Sequence, residues 1–263
     1  MLPCYVSVDP TGRFALAANY SGGSVAVFPI QADGRLGEAT DVVQLTGSGP
    51  HRRQEGPHPH CIVPDPAGAY VLVCDLGSDR VLVYRLDPAS GRLRPNAPPA
   101  APVGAGAGPR HFAFSPDGRH AFVVDELDST LVAFGYDADQ GTLRPLRTVS
   151  TLPEGFAGDN LPAHVLVAPS GRYLYASNRG HNSIAVFAVQ PETGRVTPLG
   201  HEPSRGRGPV SFAIDPAGTF MLVANQGGGS VAAFRLDPGQ GTLQATEFRL
   251  DVPAPTCVLF GRP

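Results

Sequence analysis

Five copies of one short pattern predict an all-β chain, a β-propeller of four-stranded blades, forming a single domain over residues 1–263. Each copy is a β-run, a Pro-x-Gly turn and a second β-run. The turn glycines Gly12, Gly68, Gly118, Gly171 and Gly218 follow one another at steps of 56, 50, 53 and 47 residues. A load of 32 Gly and 28 Pro along the whole chain suits the many turns of such a fold. No segment carries the apolar period of a long amphipathic helix, and none is apolar enough to cross a membrane as one.

The units run in order from Tyr5, Cys61, His111, His164 and Ser211. In each, a short run rich in β-branched and aromatic residues precedes the turn and a similar run follows it. Proline fixes φ for the reversal and glycine accepts the positive φ that completes it. A short polar loop then leads to a third strand. A second loop, such as Asp87–Leu93 or Asp237–Leu243, leads to a fourth. The stretch PAPTCVLF, residues 253–260, resembles one more first strand without its companions, so the chain is expected to lack an N-terminal part.

The formal net charge is −3 and all 20 basic residues are Arg, scattered along the chain, which argues against a nucleic-acid partner. The four cysteines, Cys4, Cys61, Cys74 and Cys257, form no C-x-x-C pair and read as small buried thiols in a reducing compartment. No His and carboxylate grouping has strong metal-ligand spacing, and neither a G-x-S-x-G elbow nor a clear nucleophile triad occurs. The Gly-rich stretches Gly47–Pro50, Gly104–Pro109 and Gly227–Gly229 precede no helix and read as turns, not phosphate loops.

The repeat supplies an internal control, because equal offsets from the turn glycine occupy equivalent places in every blade. Eight residues before it stand Cys4, His60, Arg110, Ala163 and Val210; eight after it stand Tyr20, Leu76, Glu126, Arg179 and Gln226. An antiparallel hairpin brings these rows together at its open end, so both should line one mouth of the channel. Three successive blades contribute His60, Arg110, Glu126 and Arg179 there. The next row holds His111 and His164, read equally well as supporting groups or as hydrogen-bonded strand-start histidines. Asn19, Asp75, Asp125, Asn178 and Asn225 form a uniform row best explained by strand-end hydrogen bonding. His58 reads as a loop residue, and His51, His120 and His201 as exposed.

Two guanidiniums, a carboxylate and an imidazole suit an anionic, oxygen-rich small molecule. Arginine forks grip carboxylate or phosphate, and a carboxylate or imidazole beside them can activate water.

On RQEGPHPH (Arg53–His60), GAGPRHFAFSPDGR (Gly106–Arg119), DEL (Asp125–Leu127) and LYASNRGHNSIAVF (Leu174–Phe187), the chain resembles the lactonase family of seven-bladed propellers. That family includes bacterial 6-phosphogluconolactonases and fungal carboxymuconate lactonizing enzymes, and its seven blades imply that this single domain lacks about two N-terminal blades. The resemblance implies catalytic roles for His60, Arg110, Glu126 and Arg179, substrate contacts from His111, His164 and His181, and no cofactor. It implies hydrolysis of a small anionic sugar lactone, 6-phosphoglucono-1,5-lactone first, in the cytoplasm. A lactonizing cycloisomerase and a non-enzymatic propeller binding an anion or a protein are the alternatives. The chain departs from the family pattern at His164 and Val210, where acidic and Arg residues are common.

Overall fold

The computed structural model describes residues 3–261. Blade 1 comprises β1 (Pro3–Val8), β2 (Phe14–Asn19), β3 (Ser24–Pro29) and β4 (Asp41–Gln44). Blade 2 comprises β5 (Pro59–Pro64), β6 (Tyr70–Asp75), β7 (Arg80–Asp87) and β8 (Arg92–Pro102). Blade 3 comprises β9 (Pro109–Phe114), β10 (His120–Asp125), β11 (Thr130–Asp137) and β12 (Thr142–Ser150). Blade 4 comprises β13 (Leu161–Val167), β14 (Tyr173–Arg179), β15 (Ser183–Gln190) and β16 (Arg195–Pro203). Blade 5 comprises β17 (Pro209–Ile214), β18 (Phe220–Asn225), β19 (Ser230–Leu236) and β20 (Leu243–Asp251). Each blade is a four-stranded antiparallel meander.

The first strand of each blade packs beside the first strand of the next, β1 to β5 and on to β17, so these five strands are innermost. Alternate side chains point to opposite faces of a sheet, so each inner blade is covered on both sides. Four apolar layers result. Leu16 and Val27 of blade 1 meet Ile62 and Val73 of blade 2. Leu72 and Val83 meet Phe112 and Phe134; Phe122 and Leu131 meet Leu174 and Phe187; Tyr175 and Ile184 meet Phe212 and Phe234. Fully burying one such side chain contributes about 2 kcal/mol. The end blades each leave apolar side chains uncovered: Val6 and Val8 on β1, Phe220 on β18.

A second seam fixes blade against blade at the rim. The residue two after each turn glycine is Phe14, Tyr70, His120, Tyr173 or Phe220. The first four rings lie under Gly91, Gly141, Gly194 and Gly241 of the following blade, all at positive φ, where a Cβ would strike the ring. This corrects the expectation that His120 is exposed: it takes the aromatic place in that row and is 7 % exposed. His51 and His201 are half-buried rather than exposed. Of the four free thiols, Cys61 and Cys74 are buried as expected, whereas Cys4 and Cys257 are exposed.

Residues 253–260 form no strand. Val258 N donates to Ser211 Oγ on β17 at 3.4 Å, but the stretch has no ladder partner and therefore does not count as sheet.

Candidate active site

The hairpin pairing explains why the two rows meet, and adds a device that the sequence pattern hides. In each blade the first strand starts at or beside a proline paired with the Asx residue: Pro3 with Asn19, Pro59 with Asp75, Pro109 with Asp125, Pro162 with Asn178, Pro209 with Asn225. The register then slips. His111 already faces Val124, so Arg110 is an extra residue with no partner. His60, Cys4 and Val210 are extra in the same way, and blade 4 slips between Pro162 and Val165. Such a bulge re-aims its side chain, and here it turns His60 and Arg110 out of the ladder. The Asx row holds the strand ends: Asn19 donates to Ser24, Asp75 accepts from Ser78, Asp125 accepts from Thr130, and Asn178 donates to Ser183.

The structure gathers Arg110, Glu126 and Arg179 around one carboxylate. Glu126 Oε2 lies 2.7 Å from both Arg110 Nε and Arg179 Nη2. The Arg179 contact is a hydrogen bond; Arg110 Nε is off the bonding line, so its contact is charge against charge. Backbone carbonyls of blade 4 fix both guanidiniums: Arg110 Nη1 donates to Ala163 O, and Arg179 Nε donates to Leu161 O at 3.0 Å.

The other carboxylate oxygen is taken by a residue absent from the sequence-based set. Arg53 Nη1 lies 2.6 Å from Glu126 Oε1. Arg53 sits in the connection between β4 and β5, outside the repeated offsets, so comparing blades could not find it. The one signal was its place in the RQEGPHPH stretch. Its Nη2 also donates to Tyr20 Oη at 3.2 Å.

Three cations around one anion settle the electrostatics. Burial works to raise the Glu126 pKa, but Arg110, then Arg179 and Arg53, outweigh it and hold the carboxyl down to about 2. Burial, then Arg179, lowers Arg110 to about 10, still protonated at neutral pH. Burial and the Arg110 charge push His60 down to about 3, so its imidazole is neutral. The cluster therefore carries a net charge of about +2 at pH 7.

No described hydrogen bond or ion pair joins His60 to this carboxylate, although the Arg110 and Glu126 charges act on it; its ring centroid lies 5.5 Å from that of Tyr20, and it begins a row of imidazoles along the inner strands. Its ring centroid is 5.2 Å from that of His111, which is 4.9 Å from that of His164. Burial first, and then Arg110, also lowers both of these; His164 falls to about 3. Nδ1 of His60 and of His164 is buried and meets no hydrogen-bond partner. His181 points elsewhere: it contacts Ser183 Oγ at 2.7 Å, Phe156 and His201, and no described contact joins it to Glu126. His58 stacks on Tyr20 with centroids 4.6 Å apart, a loop-fixing role as expected. Among the described residues, no group of three or more His, Cys, Asp or Glu could hold a metal ion.

Comparison with known proteins gives a consistent picture. The family described as "Lactonase, 7-bladed beta-propeller" matches residues 1–260. The chain is 38 % identical over 258 residues to a 6-phosphogluconolactonase of Bacillus subtilis, covering 98 % of this chain and 73 % of that protein. It is 38 % identical over 213 residues to a 6-phosphogluconolactonase of Pectobacterium carotovorum, covering 81 % of this chain and 60 % of that protein. Among solved structures it resembles the periplasmic gluconolactonase of Pseudomonas aeruginosa with a TM-score of 0.92 and 37 % identity, over 97 % of this chain and 71 % of the other.

Proposed function

The chain belongs to the lactonase family of seven-bladed β-propellers, and from that premise we propose that its Arg–Glu–His cluster hydrolyses an anionic sugar δ-lactone, with 6-phosphoglucono-1,5-lactone the first candidate. The observation that carries the substrate charge is the excess of guanidinium over carboxylate: Arg53, Arg110 and Arg179 against Glu126 alone. A phosphate monoester brings nearly two negative charges at neutral pH and matches that excess.

The chemistry divides among the residues by their ionisation. Guanidinium N–H groups polarise the lactone carbonyl and stabilise the oxyanion, a contribution of about 3–4 kcal/mol per well-placed donor. Water adds to the carbonyl carbon as a base removes its proton. The C–O bond to the ring oxygen then breaks, and that oxygen takes a proton back. His60 fits the base better than Glu126 does. Its imidazole is neutral and Nδ1 is unclaimed, whereas both Glu126 oxygens are held by arginines. Burial is the larger cause of the low His60 pKa and the Arg110 charge the second; an arriving anion offsets the second, and binding strengthens the base to that extent. Glu126 sets the guanidiniums in place.

The experiment is direct. Purified protein should speed the loss of 6-phosphoglucono-1,5-lactone beyond its spontaneous rate, followed through 6-phosphogluconate formation. No acceleration at micromolar protein contradicts the reading.

A further inference from the structure

The three arginines on Glu126 are not equivalent. Arg110 and Arg179 reach it from β9 and the end of β14, and both are tied to carbonyls of β13. Their side chains are 6 % and 23 % exposed. Arg53 is 35 % exposed, and among the described residues its guanidinium contacts only side-chain oxygens, Glu126 Oε1 and Tyr20 Oη. The remaining donors of its fork meet no protein acceptor there, and a guanidinium offers five.

Its main chain, by contrast, is pinned. The neighbouring Gln54 is fully buried; its Nε2 donates to Leu76 O at 2.7 Å and to Asp79 Oδ1 at 2.6 Å, and its Oε1 accepts from His51 N at 3.0 Å. A Cβ on Gly49 would strike the Gln54 amide, so the connection closes tightly around that residue. Arg53 N donates to His51 Nδ1 at 3.2 Å. A fixed backbone thus carries a long side chain whose charged end is held by side chains alone.

We propose that Arg53 is the specificity-determining residue of this site: it caps Glu126 in the structure and turns its free donors to the anionic group of an incoming phosphorylated lactone. This rests on the lactonase reading above and assigns the anion-selecting part of it to one residue. Arg110 and Arg179 stay with the carboxylate and the lactone carbonyl. Tyr20 and Glu126 are the two holds that Arg53 keeps or yields as it turns. A phosphate has oxygens enough to take the fork bidentately while Glu126 Oε2 keeps its two remaining cations.

Steady-state kinetics of wild type, Arg53→Gln and Arg53→Lys with 6-phosphoglucono-1,5-lactone and with uncharged glucono-1,5-lactone test the assignment. For Arg53→Gln, KM for the phosphorylated lactone should rise about 10- to 100-fold, the range for losing hydrogen bonds to a charged group. Its kcat/KM should fall at least about tenfold more for the phosphorylated lactone than for the uncharged one. Arg53→Lys should recover part of that preference, since charge returns without the fork. Equal losses for both lactones, or a loss confined to kcat, would show that Arg53 merely braces Glu126, and would overturn the proposal. If wild type hydrolyses neither lactone, the lactonase reading fails separately. Titration calorimetry with 6-phosphogluconate then decides on Arg53: weaker binding by about tenfold in Arg53→Gln supports the assignment, and unchanged binding overturns it.

Discussion

Glu126 of the third blade and Arg179 of the fourth are joined across the blade boundary by a 2.7 Å hydrogen bond from Nη2 to Oε2. The bond makes the site a property of neighbouring blades, since Arg110 and Arg53 reach the same carboxylate from a different strand and from the connection before β5. Removing the carboxylate leaves three guanidiniums facing one another with no anion between them.

Glu126→Gln should therefore lower stability by about 3 kcal/mol at pH 7, as breaking a buried ion pair does. The folded carboxyl is held at about 2, below its ordinary 4.5. Its stabilisation is thus fully present above pH 4.5 and fades as pH falls through 2. Chemical denaturation across pH should show wild type and variant converging towards pH 2. A difference that does not depend on pH contradicts this assignment of charge.

The imidazole row has the same acid direction for a different reason. His60, His111 and His164 are held neutral in the folded state, with folded pKa values below 6.5. The unfolded chain takes up protons below about 6.5 that the folded chain refuses, so stability falls as pH drops from there towards 3. Each histidine contributes a slope of about 1.4 kcal/mol per pH unit. His164→Phe should remove about one proton's worth of slope near pH 5; an unchanged slope would mean that His164 is already charged in the fold.

Rim glycines divide into those that need space and those that need only positive φ. A Cβ at Gly141 strikes the Tyr70 ring, whereas a Cβ at Gly12 meets nothing; both have positive φ. Gly12→Ala should cost about 1 kcal/mol from backbone strain, and Gly141→Ala about 3 kcal/mol as the seam between blades 2 and 3 is forced apart. Equal shifts in thermal denaturation would refute the seam.

For activity, His60 in its proposed role as base, held by burial and Arg110 at about 3, keeps its neutral form through the mildly acid range. The enzyme-catalysed kcat/KM, corrected for spontaneous opening of the lactone, should stay flat from pH 7 to about 5. An acid limb near 6.5 would identify an ordinary, solvated imidazole as the base instead.

What the sequence made legible was what the repeat samples. The five turns, the four strands per blade and the placing of Arg110, Glu126 and Arg179 around one carboxylate all follow from equal offsets to a glycine. The bulge at His60 and Arg110 was not legible, because an extra residue in one strand shifts register without changing residue type. Arg53 stayed outside the comparison because its connection has no counterpart at a fixed offset. The polarity of His120 points to an exposed residue, but its row holds aromatic rings in the other four blades, and its imidazole packs as one of them. His181 resembled a site residue through its neighbours in sequence, yet its ring turns to His201 and Phe156.

In the proposed function, the arginines around Glu126 form a lactone-hydrolysing site for an anionic substrate. Its most direct test is the rate of 6-phosphoglucono-1,5-lactone loss with wild type beside Arg179→Gln, whose guanidinium lies on the partly exposed side of the cluster. Wild type should accelerate the reaction, and the folded variant should lose about a hundredfold in kcat/KM. A wild type no faster than the uncatalysed reaction, or a variant as fast as wild type, would contradict it.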